Sequence, residues 1–182
     1  MRKVNVADLS YGWAVVLWFG VLGLCVGSFV NAFCYRWPII KGVGEYADGK
    51  RLQELVAKHG KFTLASPRSA CPCCQSKVRA HHNIPVVGWL WLMGKCRDCG
   101  ARISWKYPAV ELLFGAVFAG YVWFEGVWVA GLLSLVLMPV AFSFLWLRIA
   151  HRHNDKALIW SYIVTLAAQI GLSGLGLSAY VQ

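Results

Sequence analysis

Five of the seven cysteines fall in one stretch, as Cys71-Pro72-Cys73-Cys74 and Cys96-Arg97-Asp98-Cys99. Taking Cys71 with Cys74, each run is a C-x-x-C pair, and twenty-one residues separate the two pairs. Two intervening residues let both sulfurs of a pair meet one ion from a single turn. Two such pairs close a tetrahedral four-thiolate zinc site with Zn–S near roughly 2.3 Å. Gly100 follows the second pair and permits the positive φ that such a knuckle needs. The expected ligands are therefore Cys71, Cys74, Cys96 and Cys99. Four protein ligands leave no open position, so this zinc is expected to be structural, folding a loop too poor in apolar residues to fold alone. Cys73 can exchange with Cys71 or Cys74, but the spacing makes it a spectator. His81 and His82 lie between the pairs, where they compete as ligands or stand as exposed loop histidines; the second reading is preferred. Cys25 and Cys34 fit as small apolar packing residues in a helix.

A second set of residues lies in apolar surroundings. Gly20, Gly23, Gly27 and Asn31 follow at spacings of three, four and four and share one helix face. Gly23 and Gly27 form a G-x-x-x-G, which admits another helix at close range. Asn31 on that face needs a polar partner across the contact, either as ordinary packing or beside a polar site at the membrane surface. Glu111 falls one turn into a later apolar run. A carboxylate there is favoured by the helix macrodipole, and an ionisable residue in a span is a functional candidate by default. Arg36 and Lys106 fall at the same depth and can pair with it, so a purely structural Glu111–Arg36 bridge competes with the functional reading.

The elements that must position these residues follow from composition. The chain has 182 residues, 58% hydrophobic and 14% charged, with a mean hydropathy of +0.54. A soluble domain holds about 45–50% apolar and about 25% charged residues. The excess makes the bilayer the expected solvent. The expected fold is an all-α integral membrane protein with about four transmembrane helices and a small zinc-ribbon-like cytoplasmic loop. The first span, within residues 1–35, runs from Tyr11 to Tyr35 and ends at Arg36-Trp37-Pro38. A loop over 36–106 carries the cysteine module at 71–99. Within 107–182, spans follow over Tyr107–Phe124, over Val127–Leu147 with Pro139 inside, and over Ala157–Tyr180. The Glu125-Gly126 turn and the Arg148–Lys156 connection link them.

Charge sets the orientation. Residues 36–106 carry thirteen Lys/Arg against four Asp/Glu, a net +9 within a chain total of +10. The positive-inside rule places that loop in the cytoplasm, where cysteines stay reduced and bind metal rather than pair. Arg148, Arg152 and Lys156 place the second connection on the same side, so both termini lie outside. Arg2 and Lys3 argue weakly against this, offset in part by Asp8. Leu52, Leu55 and Val56 among charges predict a short helix on the membrane surface. The charge contacts membrane lipids; without a recognition-helix pattern no nucleic acid is expected. The apolar run after Met1 is too long for a cleavable signal peptide and lacks a small-residue cleavage site.

Gly27-Ser28-Phe29-Val30-Asn31 followed by Tyr35-Arg36-Trp37-Pro38 resembles the G-S-F-L-N-x-x-x-Y-R-x-P signature of bacterial type IV prepilin peptidases. Asn83-Ile84-Pro85, Gly88-Trp89-Leu90 and Gly94-Lys95-Cys96 resemble the run between that family's paired cysteines. Ile103-Ser104-Trp105-Lys106-Tyr107-Pro108-Ala109-Val110-Glu111 resembles its I-S-x-R-Y-P-x-V-E. Several motifs match in order, over roughly Gly20 to Gly120. The resemblance implies the bacterial inner membrane, type IV pilus or type II secretion biology, and prepilin or pilin-like substrates. It also implies two activities: aspartyl cleavage of the leader, and methylation of the new N-terminus from S-adenosylmethionine.

The second half of that pattern is missing from these residues. The family's protease dyad needs two aspartates, one in a D-x-D…P-D segment and one in a later G-x-G-D. If Asn154-Asp155 matches the P-D, the first motif's aspartates fall at Leu147 and Ile149, which do not ionise. Gly174-Leu175-Gly176-Leu177 has no aspartate, and Asp155 is the only Asp after Asp98. No self-contained peptidase is expected; a separate aspartyl subunit is the partner that would complete it. What remains is the methyl-transfer side, with Asn31, Arg36, Lys106 and Glu111 as its candidate residues by resemblance. The other reading is a non-catalytic zinc-loop scaffold or assembly factor for pilins.

Overall fold

The computed structural model describes residues 12–127, 129–151 and 160. Regular structure among the described residues is helical, with no strand; isolated antiparallel bridges pair Ala70 with Lys77 and Lys95 with Arg102. Three helices, α1 (Gly12–Lys41), α4 (Lys106–Glu125) and α5 (Val129–His151), are long and apolar enough to cross a membrane. Between α1 and α4 lie α2 (Lys50–His59) and α3 (Val87–Trp91), with 3₁₀ turns at Gly44–Tyr46 and Ala80–Asn83. The fourth expected span apart from Trp160, the Arg152–Lys156 part of the second connection and the N-terminal residues before Gly12 lie outside the described residues.

The helix ends show why these runs start and stop. α1 continues past Arg36-Trp37-Pro38, where the sequence suggested its end. Proline lacks an N–H but fits a helix whose other bonds hold, and the Pro38 ring is fully buried. The helix stops at Gly42 instead: its φ of 62° is the left-handed C-terminal conformation that glycine adopts without cost. The Val43 amide then donates to Pro38 O at 3.0 Å. α4 opens with the Lys106 amide on Ser104 Oγ at 3.3 Å and Pro108 in the first turn, where its missing N–H is not needed. It ends at Gly126, φ 72°, whose amide donates to Val122 O at 3.0 Å. α5 runs through Pro139, where Ser143 Oγ donates to Pro139 O at 2.7 Å, and includes Arg148–His151, expected as connection.

The chain divides into two compact units. One holds residues 1–22 with 116–182, and among its described residues Phe118, Val122, Leu135, Ala141 and Leu147 are buried. The other, Gly23–Gly115, holds the lower part of α1, the whole loop and the first half of α4. In this second unit Gly23 and Gly27 lie flat against α4. A Cβ on Gly27 would stand 2.8 Å from Glu111 Cα and 3.0 Å from Val110 O; one on Gly23 would strike Phe114 O and lie 2.9 Å from Gly115 Cα. The G-x-x-x-G therefore does what its spacing predicts: it brings two backbones into contact. Val30, Cys34, Ile39 and Phe114 fill the unit's interior, with the polar Arg36 and Glu111 buried among them.

Candidate metal centre and polar clamp

The cysteine module consists of two knuckles with the same hydrogen bonds. In the first, the Gln75 amide donates to Cys71 O at 2.9 Å and the Cys71 amide to Ser76 O at 3.0 Å. In the second, the Gly100 amide donates to Cys96 O at 2.9 Å and the Cys96 amide to Ala101 O at 2.7 Å. The residue four past the leading cysteine has positive φ in both, 62° at Gln75 and 70° at Gly100. Gln75 holds this conformation without being glycine, its Nε2 donating to Pro72 O at 3.0 Å.

The sulfurs of Cys71, Cys74, Cys96 and Cys99 all lie within 4.8 Å of one another. Cys71–Cys99 is 3.8 Å and Cys74–Cys96 is 3.9 Å. A tetrahedron with Zn–S of roughly 2.3 Å has S···S edges of about 3.8 Å, so the cluster is sized for such an ion. The donor set is four thiols, the soft set that suits zinc. The Cys99 and Asp98 amides hold Cys96 down to about 6. Ser76, through its hydroxyl and then its amide, also lowers Cys74. The Ala101 amide pulls on Cys99 too, but Cys74, burial, Cys96 and Cys71 outweigh it and push Cys99 up to about 12. Cys96 and Cys74 are thus the readier thiolates of the set, and a metal would displace the proton from Cys99 on binding. Cys73 is exposed and outside the cluster. His81 and His82 are outside it as well, packed on each other and on Trp91 with ring centroids 4.2 to 6.5 Å apart.

The segment between the knuckles is held by close backbone approaches. A Cβ on Gly88 would collide with His82 O, and one on Gly94 (φ 67°) would stand 2.8 Å from Trp89 Cζ2. Trp89 Nε1 donates to Ile103 O at 3.1 Å, and the Ile103 amide to Gly94 O at 2.7 Å. These contacts give a physical reason for the glycines in Gly88-Trp89-Leu90 and Gly94-Lys95-Cys96. Gly88→Ala is therefore expected to destabilise the module by about 1–3 kcal/mol, the cost of overpacking. The check is faster loss of metal to a chromophoric chelator than from the unaltered chain.

Three of the four candidate polar residues of α1 and α4 engage backbone. Asn31 Nδ2 donates to Tyr107 O at 3.0 Å, tying α1 to the first turn of α4. Arg36 donates through its two terminal nitrogens to Thr63 O at 2.7 Å and Pro67 O at 2.6 Å, with its guanidinium 5.3 Å from the Phe62 ring centre. Glu111 Oε2 accepts the Val86 amide at 2.6 Å. The Arg36–Glu111 ion pair that the sequence allowed does not form: each charge meets loop backbone instead, which satisfies both without bringing them together. Lys106 is exposed. Val86 itself has φ 61°, an unfavourable conformation for a β-branched residue, held at the entry to α3. Sequence reasoning did not find Val86, Thr63 or Pro67 as partners. They contribute only backbone atoms, which residue type does not mark.

The model of the Bacterial Peptidase A24 N-terminal domain matches residues 21–124. The chain is 41% identical over 125 residues to a "Type 4 prepilin-like proteins leader peptide-processing enzyme" of Escherichia coli O78:H11, covering 66% of this chain and 45% of that one. It is 43% identical over 127 residues to a "Prepilin leader peptidase/N-methyltransferase" of Stutzerimonas stutzeri, covering 68% and 44%. A protein of the same description from Pseudomonas putida is 36% identical over 153 residues, covering 84% and 51%. The chain spans about half the length of the curated relatives it matches. No solved structure matches.

Proposed function

Because the chain belongs to the family of bacterial peptidase A24 N-terminal domains, we propose that it acts in the maturation of type IV pilin-like proteins or type II pseudopilins. In this reading α1, α4 and α5 cross the inner membrane and the basic loop faces the cytoplasm. The cysteines hold a structural zinc, and the chain contributes to N-methylation of the processed pilin. The observation that carries it is the anchoring of the loop to α1 and α4 by Arg36, through Thr63 and Pro67 just before the cysteine module, and by Glu111, through Val86 within it; both are buried residues of the matched motifs.

Glu111 is the group suited to a substrate amine. Its Oε2 is engaged by Val86, while Oε1 accepts no hydrogen bond among the described residues. A carboxylate so placed can hold an ammonium group and take its proton. S-adenosylmethionine, when bound, would supply the methyl group. The described residues do not fit the usual cradle for it, since no strand leads through a glycine loop into a helix. Leader cleavage is outside this proposal. Leu147 is buried, Ile149 is exposed on α5, and neither ionises; Asp155 lies outside the described residues. A separate aspartyl subunit would supply that activity.

One observation favours a second reading, a non-catalytic scaffold for pilins: Arg36 and Glu111 are already bonded to loop backbone. Mass spectrometry of the pilin N-terminus separates the two. Loss of the chain is expected to remove the N-methyl group while leader cleavage persists. Glu111→Gln keeps an oxygen for the Val86 amide and removes the charge, so methylation is expected to slow by roughly 10²-fold or more, the range of a lost general base. Methylated pilin in reduced amount after loss of the chain, with Glu111→Gln silent, would select the scaffold. Cleavage of a prepilin by the purified chain would refute the missing-dyad reading.

A further inference from the structure

The short helix α3 exposes an apolar face to its surroundings. Val87, Leu90 and Trp91 stand at i, i+3 and i+4 on one side and are 49%, 60% and 66% exposed. Ile84, one turn earlier, is 48% exposed, and Met93, just beyond, is 82% exposed. The opposite side of α3 faces inward: Gly88 is buried against His82 O, and the Trp89 indole bonds Ile103 O. α3 thus presents Val87, Leu90 and Trp91 outward and turns Gly88 and the Trp89 indole inward.

The depth of that face is fixed from the other end. The Val86 amide, at the entry to α3, bonds Glu111 at 2.6 Å. Glu111 is five residues into α4, or roughly 7.5 Å along its axis at 1.5 Å per residue. Helices that lie in a membrane interface bury their apolar side roughly 5–10 Å deep. α3 is therefore held beside a stretch of α4 that lies at interfacial depth. Trp105 and Tyr107, both exposed aromatics, flank the first residue of α4. Aromatic residues concentrate at that level of a bilayer. The segment from residue 70 to 106 that carries this face holds six basic residues, Lys77, Arg79, Lys95, Arg97, Arg102 and Lys106, against the single acid Asp98, a balance suited to anionic headgroups.

We propose that the Val87–Leu90–Trp91 face of α3 is a lipid-docking surface. It would seat the metal module in the headgroup region of the leaflet at the N-terminal end of α4. The occupant is an anionic phospholipid leaflet, identified by the apolar face, its interfacial depth and its basic surround. The inference rests on the membrane-crossing assignment of α4 made above, and not on the choice between methyl transfer and scaffold. Its consequence for the module is restraint: the metal centre is held against the membrane by α3 as well as by the Val86–Glu111 contact.

The test uses the full chain, labelled with 5-fluorotryptophan, in nanodiscs of phosphatidylethanolamine and phosphatidylglycerol. Trp91→Phe and Trp18→Phe identify the two resonances; both side chains are exposed, so neither change removes a buried contact. The Trp91 signal is expected to lose most of its intensity with headgroup-spin-labelled lipid and to keep it with an aqueous gadolinium chelate. Trp18, within α1, should respond to acyl-chain-labelled lipid. Loss of the Trp91 signal to the chelate while Trp18 responds to lipid would overturn the docking surface alone. Failure of Trp18 to respond would overturn the membrane assignment and the proposal with it. Protection of Trp91 only after adding a prepilin peptide would overturn it in favour of a substrate surface.

Discussion

Cys96→Ser is expected to abolish metal binding and to unfold the segment from Ala70 to Arg102. The purified chain should fall from about one zinc per molecule, the content of a closed four-ligand site, to near none. Protease sites between residues 70 and 102 should open at the same time. The size of the effect follows from what else the module has to hold it. Cys71 is its one buried hydrophobic residue among those described. Its remaining contacts are hydrogen bonds, each contributing about 1 kcal/mol net, and the close backbone approaches at Gly88 and Gly94. Zinc binding to small structural sites supplies about 10–16 kcal/mol at neutral pH. No single other contact approaches that figure, and the hydrogen bonds are offset by the entropy of ordering the segment, so loss of one thiolate removes the largest single stabilising interaction. Cys73→Ser is the matched control. Cys73 is exposed and outside the cluster, so zinc content and protease resistance should stay at the level of the unaltered chain. Zinc loss in Cys73→Ser would reassign the ligand set. A protease-resistant Cys96→Ser chain would mean that the knuckles fold without metal.

The four-cysteine cluster was legible because a tetrahedral metal site would impose a spacing. Two residues between thiols and two such pairs leave little else for Cys71, Cys74, Cys96 and Cys99 to be, and the four sulfurs converge as that spacing requires. The apolar runs were legible for a similar reason, since length and hydropathy alone mark α1, α4 and α5. What was not legible is where the buried charges go. Pairing Arg36 with Glu111 was reasonable from charge and depth. The fold instead gives Arg36 two carbonyls 27 and 31 residues away, and gives Glu111 an amide 25 residues back. Backbone groups carry no residue identity, so no pattern of side chains announces them. The end of α1 was misplaced by one to two turns for a related reason. Pro38 reads as a breaker, but the terminating feature is Gly42 in the left-handed region, and burial of the proline ring keeps the helix intact up to it.

Gly23→Leu is expected to separate α1 from α4 and to disable the polar residues without touching any of them. At Gly23 even the first added carbon meets the Phe114 carbonyl oxygen, with Gly115 Cα 2.9 Å away. Those atoms are backbone within a helix and cannot rotate aside, so the helices must move apart. Overpacking of this kind costs about 1–3 kcal/mol and sometimes more, and three further carbons place leucine at the upper end. Close backbone packing is also a main source of helix association in lipid, where no hydrophobic drive holds two helices together. Parting them stretches the Asn31–Tyr107 bond, which crosses the same contact at 3.0 Å, and shifts Glu111, whose Cα lies against Gly27. The Val86 amide then loses its acceptor and the metal module is released from α4. Crosslinking between cysteines introduced on α1 and α4 should fall sharply, with pilin methylation falling in parallel if that activity is present. Gly120→Ala, farther along α4, is the control. A Cβ there meets nothing within 4 Å, and replacing a helical glycine by alanine is favourable by roughly 0.5–1 kcal/mol. Equal behaviour of the two variants would show that the small-residue contact does not hold α1 to α4.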